Sequence, residues 1–353
     1  MKKIIHIVGA RPQFIKLAPM IHNSRNVFEN IIIHTGQHYD KAMSDNIFED
    51  LDIPEPDYNL EVGSGSHGQQ TAKMLEGIEL ILIKEKPDAV IVYGDTNSTL
   101  SGALAAVKLN IFTAHIEACL RSFNRAMPEE INRICTDHIS DTLFVPTSAA
   151  MQNATNEGLG TKAHLVGDIM TDSLAYGLQK SEIRLAILQE LNLTPESYYL
   201  LTLHRPYTVD EPEKLISLLT KLNCLKQKVL FPIHPRTSNI LRPYDISSLS
   251  NIELSTPRSY LDFITLMNNS KAILTDSGGI QKEAYILKKL CITLRTETEW
   301  IETVKSGWNL LVNPSEDNLI NIIESQTVPD NYLPIFGNSV SIKIISKLDS
   351  FLH

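Results

Sequence analysis

The chain of 353 residues is long enough for about two domains of typical size. Hydrophobic residues make up 43% of it and charged residues 21%, the balance of an ordinary globular protein. Acidic residues outnumber basic ones, 41 to 32, for a formal charge of −9. This charge argues against nucleic acid as a partner, because such binding relies on Lys and Arg at phosphates. No stretch reaches the ~18 uninterrupted apolar residues of a membrane span, so no membrane partner is expected.

The four cysteines give no sign of a disulfide framework or of a metal site. None forms a CxxC pair, and their spacing matches no zinc motif. The first ten residues lack the apolar length and the small-residue cleavage site of a signal peptide. We therefore expect a reduced, cytoplasmic protein without a bound metal.

Short apolar runs alternate with longer amphipathic stretches along the chain. Strands are predicted at 3–8, 31–34, 89–93, 111–115 and 142–145 in the first half, and at 198–203, 229–234, 272–276 and 290–294 in the second. Helices are predicted at 13–21, 67–84, 97–108 and 340–352. This alternation is typical of parallel sheets covered by helices, so the sequence predicts an α/β protein of two doubly wound domains.

A Gly-Asp turn after a strand-like segment marks the expected domain boundary, within residues 165–172. The expected division is an N-terminal domain at 1–168, a C-terminal domain at 169–335 and a final helical segment at 336–353, whose packing partner the pattern does not identify. Ligands of open α/β sheets bind beyond the carboxyl ends of the strands. The loops that follow the predicted strands are therefore where functional side chains are expected.

Two cations follow the first predicted strand. Arg11 comes just after Gly9, and Lys16 lies one turn into the next helix, so both stand near a helix N-terminus, which favours anions. Neither GxGxxG nor GxxxxGK[ST] is present there, which argues against a dinucleotide fingerprint or a P-loop. Taken alone, the two cations are better explained as solvated surface charges.

Acidic residues follow the third and fourth predicted strands. Asp95 either caps the next helix or faces a ligand at the end of a buried strand. Glu117 lies among apolar residues, where a carboxylate needs a partner cation such as Arg121. Pro128 suits the first position of a helix, which places Glu129 in the first turn, where the helix dipole keeps a carboxylate ionised and ready to accept a proton. Simple compensation of the dipole is the other explanation of Glu129.

The second half carries two sequences that suit anions. His204-Arg205 and His234-Pro235-Arg236 end neighbouring predicted strands, which suggests an anion-facing rim, and no third ligand at metal spacing accompanies them.

The strongest local signal is a strand that runs into Ser277, Gly278 and Gly279 and then into a helix. The glycines let backbone N–H groups approach a phosphate, and the helix N-terminus adds partial positive charge. Glu283, on the second turn of that helix, is placed to accept hydrogen bonds from ribose hydroxyls. The alternative is a glycine turn followed by a solvated glutamate.

Several separated motifs give the chain a specific resemblance. With GARPQFIK, HTGQHYD, VYGDTNSTL, AHIEACLRSFNRAMPEEINR and TDSGGIQKEA, it resembles the non-hydrolysing UDP-N-acetylglucosamine 2-epimerase family over nearly its whole length. The resemblance implies two Rossmann-like domains in a GT-B-like arrangement, a UDP-sugar in the interdomain cleft, a homodimer, and neither a metal nor a nicotinamide cofactor. It also implies inversion at C2 of a UDP-linked 2-acetamido sugar, through UDP elimination to an enzyme-bound glycal and re-addition, for cell-surface polysaccharide precursors.

The resemblance also implies roles for particular residues. The implied catalytic residues are the carboxylates of Asp95, Glu117 and Glu129, with Glu129 the first choice for proton transfer, and His204. The implied substrate-binding residues are Arg11, Lys16, Arg121, Phe263, Ser277, Gly278, Gly279 and Glu283. Within this set, Arg11, Lys16 and His204 offset charge on the departing diphosphate, the Ser-Gly-Gly turn holds it, Glu283 binds the ribose and Phe263 lines the uracil pocket.

The sequence departs from the family pattern at two positions. Cys119 stands where the family usually has glycine, and a cysteine there is strained if the backbone needs a positive φ. Trp300 stands where the family often has arginine. The SFNRAMPEE, IHPRT and TEWIE segments look more like the branch that acts on UDP-2,3-diacetamido-2,3-dideoxyglucuronate. Candidate partners for a sugar carboxylate are Arg125, Arg236 and Arg258.

Three other activities stay open on the sequence. They are a hydrolysing epimerase that releases UDP and free sugar, a GT-B glycosyltransferase, and a catalytically silent UDP-sugar sensor. The carboxylates of the first domain argue against the glycosyltransferase, because group transfer does not need proton exchange on two faces of a sugar ring.

Overall fold

Two parallel sheets form the framework of the described residues, and each belongs to its own structural unit. The computed structural model describes residues 1–37, 47–181, 184–244 and 246–353. Residues 38–40 of the HTGQHYD motif lie outside these ranges. The first unit comprises Met1–Tyr176 with Ile335–His353, and the second comprises Gly177–Pro334.

The first unit holds a seven-stranded sheet. Its strands are β1 (Lys2–Val8), β2 (Phe28–His34), β3 (Tyr58–Asn59), β4 (Ala89–Tyr93), β5 (Phe112–Ile116), β6 (Thr142–Val145) and β7 (Ala163–Leu165). They lie in the order β3-β2-β1-β4-β5-β6-β7, so the chain builds outward from β1 in one direction and then adds β4 to β7 on the other side. All five residues of β4 are fully buried, as a central strand with helices on both faces requires.

The second unit holds a six-stranded sheet of the same kind. Its strands are β8 (Tyr198–Thr202), β9 (Lys228–Pro232), β10 (Ile252–Ser255), β11 (Ala272–Thr275), β12 (Cys291–Thr293) and β13 (Asn309–Leu311). They lie in the order β10-β9-β8-β11-β12-β13, which makes β8 and β11 neighbours. The carboxyl ends of these two strands therefore stand side by side.

Helices connect the strands and cover the sheets. Those of the first unit are α1 (Arg11–Ser24), α2 (His67–Glu85), α3 (Asn97–Lys108), α4 (Pro128–Ile139), α5 (Ser148–Asn156) and, at its edge, α6 (Met170–Ser181). Those that follow are α7 (Ala186–Glu190), α8 (Pro206–Val209), α9 (Pro212–Leu222), α10 (Pro235–Leu241), α11 (Tyr260–Asn269), α12 (Gly278–Ile286), α13 (Ile301–Lys305), α14 (Leu319–Glu324) and α15 (Val340–Leu352). Each longer helix buries one stripe; on α2 the buried residues are Met74, Ile78, Ile81 and Leu82.

The first unit extends past the boundary expected at residue 168, because the first turns of α6 are bonded to it. Ser173 Oγ donates to a backbone carbonyl of α1 at 2.7 Å, and the Asp172 carboxylate accepts two backbone N–H groups of α15 at 2.8 and 3.1 Å. The division falls between Tyr176 and Gly177. These contacts also identify the partner of the final helix, since α15 packs against α1 in the first unit.

Most of the predicted elements agree with the structure. The strands at 89–93 and 142–145 and the helices at 97–108 and 340–352 are confirmed residue for residue, and the other predicted elements have ends shifted by one to three residues. The edge strands β3, β10 and β13 were not predicted, because they are short, partly exposed and without a long continuous apolar run. None of the described helices is long and apolar enough to cross a membrane.

Candidate active site

The carboxyl ends of β1, β4 and β5 lie side by side and carry the predicted acid–base residues. Lys16, in α1 after β1, forms an ion pair with Glu117, which follows β5, and both side chains are only 10% exposed. Gly94, after β4, has φ +65° and lies against both of them. A Cβ there would be 3.3 Å from Lys16 Nζ and 3.5 Å from Glu117 Oε2. Lys16 is therefore a buried partner of Glu117 and not a solvated surface charge.

The predicted partner of Glu117, Arg121, is bonded elsewhere. Its guanidinium donates to Asp137 Oδ2 at 2.7 Å and, through two nitrogens, to both Glu157 oxygens at 2.7 Å, and its side chain is 1% exposed. Burial alone would lower the pKa of Arg121, but the Glu157 and Asp137 carboxylates outweigh burial and raise it. The structure corrects the expected pairing of Arg121 with Glu117, because two other carboxylates hold the guanidinium. Its role in substrate binding stays a prediction.

Asp95 is held by an arginine that the sequence analysis does not single out. Arg133 lies 2.5 Å from Asp95 Oδ2 through one nitrogen and 2.9 Å from Glu130 Oε2 through another. The helix after Asp95 is capped by Thr96, whose side chain accepts the N–H of Thr99. Asp95 is thus not the helix cap, and its carboxylate is fixed by a charge. The sequence signal for Arg133 is its spacing of three residues from Glu130 on one helix.

Adjacent glutamates in the first turn of α4 have different environments. Glu130 is 1% exposed and accepts the backbone N–H groups of Ser122 and Phe123 at 2.9 Å. Burial works against its ionisation, but the hydrogen bonds from Ser122 and Arg133 outweigh burial and lower the pKa of Glu130. Glu129 is half-buried and makes no hydrogen bond or ion pair within the described part of the chain. Of the two, Glu129 is the one whose carboxylate is available to a ligand.

Cys119, at the position where the family usually has glycine, is fully buried with φ +64°. A side chain in this left-handed region costs roughly 1 kcal/mol or more. Burial raises the pKa of the thiol to about 12, so the thiol stays neutral and is no nucleophile. The departure from glycine places a strained, unreactive residue two positions after Glu117.

In the second unit, a buried carboxylate organises the His-Arg strand end. Asp276 is fully buried and accepts the backbone N–H groups of His204 and Arg205 at 3.0 Å. Asp276 Oδ1 also lies 3.1 Å from Nδ1 of His204, whose side chain is 54% exposed. Asp276 is not among the site residues predicted from the sequence. Its position at the end of a buried strand, directly before Ser277, is the sequence feature that indicates a role for it.

The Ser-Gly-Gly turn begins α12, with Ser277 as its cap. A Cβ at Gly278 would be 2.0 Å from Glu299 Oε1, so the end of that exposed side chain would have to move to admit one. Gly279 is exposed, and a Cβ there would meet nothing closer than 4.0 Å. The first turn of α12 is thus open at Gly279, as an anion site at a helix N-terminus requires.

The two residues expected to bind the nucleoside lie on consecutive helices of the second unit. Glu283 is half-buried on the second turn of α12, and Phe263 is half-buried on α11, so both keep exposed surface. Trp300, which replaces a family arginine, is 7% exposed, and the Lys282 ammonium lies 4.6 Å from the centre of its ring. At this position the chain has a buried contact between the Trp300 ring and the Lys282 ammonium, in place of the guanidinium that many family members have there.

The three arginines proposed for a sugar carboxylate differ in their partners. Arg236 donates to both oxygens of Asp210 at 2.7 and 2.8 Å, and Arg258 pairs with Glu190 at 2.8 Å. Arg125 is exposed in the loop between β5 and α4 and has no ion pair among the described residues. Arg11, the first residue of α1, is half-buried and likewise unpaired there.

The first unit carries three candidate acid–base carboxylates, which differ in the cation that each one contacts. Glu117 is paired with Lys16, Asp95 is paired with Arg133, and Glu129 is unpaired. Groups of this kind exchange protons with a bound ligand. Over the described ranges, no group of three or more His, Cys, Asp or Glu side chains is placed to hold a metal ion.

Known proteins resemble this chain over almost its full length. A family model described as UDP-N-acetylglucosamine 2-epimerase matches residues 21–338. The chain is 52% identical to the UDP-N-acetylglucosamine 2-epimerase homolog of Methanococcus maripaludis, over 98% of this chain and 99% of that one. It is 43% identical to the UDP-2,3-diacetamido-2,3-dideoxy-D-glucuronate 2-epimerase of Pseudomonas aeruginosa, over 98% and 99% of the two chains.

A solved structure agrees with these relatives. The crystal structure of Methanocaldococcus jannaschii UDP-GlcNAc 2-epimerase, in complex with UDP-GlcNAc and UDP, matches with a TM-score of 0.86 and 43% identity over 99% of each chain. The predicted fold class, α/β with two doubly wound Rossmann-like domains, is confirmed. The chain belongs to the UDP-N-acetylglucosamine 2-epimerase family.

Proposed function

We propose that this protein is a UDP-sugar 2-epimerase that inverts C2 of a UDP-linked 2-acetamido sugar. A base removes the C2 proton, the C2–H electron pair forms the C1=C2 bond of a glycal, and the C1–O bond breaks with its electrons on the departing UDP. A proton then returns to the opposite face of C2 as UDP adds back to C1. The atoms balance without any co-reactant.

The observation that carries this proposal is the set of three carboxylates at one sheet edge. Proton exchange on two faces of a ring needs at least two acid–base groups. Glu129 is the first choice for the C2 proton, because it is unpaired within the described ranges and sits at a helix N-terminus. Asp95 and Glu117, each fixed by a cation, are the candidates for the other face.

The second unit suits the nucleotide. The open first turn of α12 is proposed to bind the diphosphate, and His204, oriented by the buried Asp276, to offset the charge that develops as the C1–O bond breaks. Further proposed contacts are Arg11 and Lys16 to the diphosphate, Glu283 to the ribose and Phe263 to the uracil. In this proposal the first unit carries the acid–base groups and two diphosphate contacts, and the second unit provides the other contacts to UDP.

Overall identity does not choose the sugar. The chain is 43% identical both to the diacetamido-glucuronate enzyme of Pseudomonas aeruginosa and to the UDP-GlcNAc 2-epimerase of Methanocaldococcus jannaschii. The unmatched charge of Arg125 favours a substrate with a carboxylate at C6, whereas Arg236 and Arg258 already have carboxylate partners. The proposal includes a homodimeric, cytoplasmic enzyme that serves cell-surface polysaccharide synthesis.

Proton NMR of a substrate panel tests the activity. UDP-GlcNAc, its C2 epimer and the corresponding diacetamido-uronates are each incubated with the purified protein, and free UDP is measured in parallel. We expect both C2 epimers of a pair to reach the same mixture without a rise in free UDP. Accumulating UDP indicates the hydrolysing enzyme instead, binding without conversion indicates a sensor, and transfer to an acceptor indicates a glycosyltransferase. Fast conversion of UDP-GlcNAc with no turnover of the uronate contradicts the role of Arg125.

A further inference from the structure

His115, in β5, bridges two turns of the first unit, the turn at 94–96 after β4 and the turn at 117–120 after β5. Its Nε2 lies 2.7 Å from the carbonyl oxygen of Gly94, the residue before Asp95. Its Nδ1 lies 2.7 Å from Asp137 Oδ1 on α4. The side chains of His115 and Asp137 are both fully buried, so neither has a direct path to a ligand.

Asp137 continues the connection to the turn that carries Glu117. Its second oxygen, Oδ2, accepts the backbone N–H of Cys119 at 3.1 Å and Arg121 at 2.7 Å. Glu117 and Cys119 both have left-handed backbone, with φ +66° and +64°. Each such residue costs roughly 1 kcal/mol, so the turn keeps this shape only because its surroundings hold it. The Asp137 hydrogen bond is one of the contacts that hold it.

Hydrogen bonds hold both ring nitrogens of His115, one to the Gly94 carbonyl and the other to the Asp137 carboxyl. Burial opposes ionisation of Asp137, but the contacts with His115 and Arg121 outweigh burial and lower the pKa of this carboxyl. A ring bonded at both nitrogens has a single orientation, which makes it a rigid spacer between the two turns.

We propose that His115 and Asp137 are positioning residues for epimerisation, which together set the separation of the Asp95 and Glu117 carboxylates. The proposal rests on the proposed function, in which those two carboxylates act on the sugar. A displacement of about 1 Å at a reacting group can cost roughly a hundredfold in rate. Loss of the pair is therefore expected to lower kcat while leaving KM and UDP affinity nearly unchanged, because the pair touches neither unit's proposed nucleotide contacts.

Conservative variants separate the two turns. His115→Gln keeps an N–H group near the position of Nε2, which can still bond the Gly94 carbonyl, and it loses the hydrogen bond with Asp137. His115→Asn does the reverse. Asp137→Asn removes the charge and disturbs both turns at once. Glu157→Gln is the matched control, because it removes the other carboxylate from Arg121 and is bonded to neither turn.

Full-length proteins are compared by steady-state kinetics, UDP binding and amide hydrogen exchange. In Asp137→Asn we expect kcat to fall at least about tenfold, KM and UDP affinity to stay within about threefold, and exchange to speed up at residues 94–96 and 117–120. We expect His115→Asn to loosen mainly 94–96 and His115→Gln mainly 117–120, each with a loss of kcat. Glu157→Gln is expected to retain kcat and the slow exchange of both turns.

Either of two results overturns the positioning role: unchanged exchange at both turns in Asp137→Asn, or faster exchange with an unchanged kcat. If Asp137→Asn fails to fold, the two His115 variants decide by the same readouts, since they keep the Asp137 charge. If the parent protein epimerises no sugar of the panel, the proposed function fails, and the exchange measurements alone then decide whether the pair holds the two turns.

Discussion

Lys16 and Glu117 form a buried ion pair although 101 residues separate them in the chain. The pair exists because β4 lies between β1 and β5, which brings the helix after β1 and the turn after β5 together at Gly94. It places a cation beside one of the three proposed acid–base carboxylates.

Breaking this pair from one side is expected to be costly. Lys16→Met leaves Glu117 buried without its cation, which typically costs about 3 kcal/mol in the free energy of unfolding. The double variant Lys16→Met/Glu117→Gln removes both charges and is expected to recover most of that stability while remaining inactive. The control is Lys2→Met, since the Lys2–Asp88 pair is 35% and 36% exposed and such pairs contribute less than about 1 kcal/mol. Urea unfolding measures all three, and equal costs for the two single lysine variants contradict the buried pair.

Gly279→Ala tests the anion site of the second unit. The new methyl group has open space, so the fold is expected to keep its stability within about 1 kcal/mol. UDP affinity is expected to fall at least about tenfold, because the methyl stands where a phosphate approaches the backbone. Gly68→Ala is the control, since Gly68 is also the second residue of a helix and has nothing within 4 Å of the new Cβ. Calorimetric titration with UDP gives the comparison, and equal affinities in the two variants place the phosphate elsewhere.

Cys119 provides a test of the strained turn. Both Cys119→Ala and Cys119→Gly lose the buried sulfur, but only alanine keeps a Cβ at φ +64°. At an ordinary position glycine is about 0.5–1 kcal/mol less stable than alanine. Here we expect the reverse, with the glycine variant more stable by about 1 kcal/mol. Thermal and urea unfolding check the order, and a more stable alanine variant means that the turn is not left-handed.

The buried carboxylates make the first unit sensitive to acid. The folded state lowers the pKa of Glu130, so its contribution to stability is complete above the unfolded-state pKa and is lost as pH falls through the folded-state pKa. Glu130→Gln is expected to cost about 2 kcal/mol at neutral pH through weaker hydrogen bonds from Ser122, Phe123 and Arg133. That difference is expected to shrink as pH drops below about 4. Urea unfolding across this range measures it, and parallel curves for parent and variant contradict the assignment.

Local sequence predicted the elements better than their contacts. An uninterrupted apolar run such as β4 has one plausible structure, and the helix at 97–108 was predicted with its observed bounds, although its cap is Thr96 and not the expected Asp95. The partner of Glu117 could not, because Arg121 is near in sequence whereas Lys16 is near in space only once the strand order is known.

Buried polar residues were the other source of error. Neither Asp276 nor Arg133 was predicted as a site residue, yet Asp276 orients His204 and Arg133 orients Asp95. Such supporting residues show no periodicity and no motif of their own, since their role depends on which strand ends are neighbours. The Ser-Gly-Gly turn, in contrast, was identified because strand, turn and helix follow one another directly in the chain.

Deuterium incorporation at C2 in heavy water is the decisive measurement of epimerisation. We expect the parent protein to place solvent deuterium at C2 of both epimers, and Glu129→Gln to bind UDP but lose most of this exchange. Glu213→Gln is the matched control, because Glu213 also follows a proline in the first turn of a helix, α9, and it is expected to exchange like the parent. A parent protein that returns substrate without deuterium at C2 is not this epimerase, and a Glu129→Gln protein that exchanges at the parental rate removes Glu129 from the proton transfer.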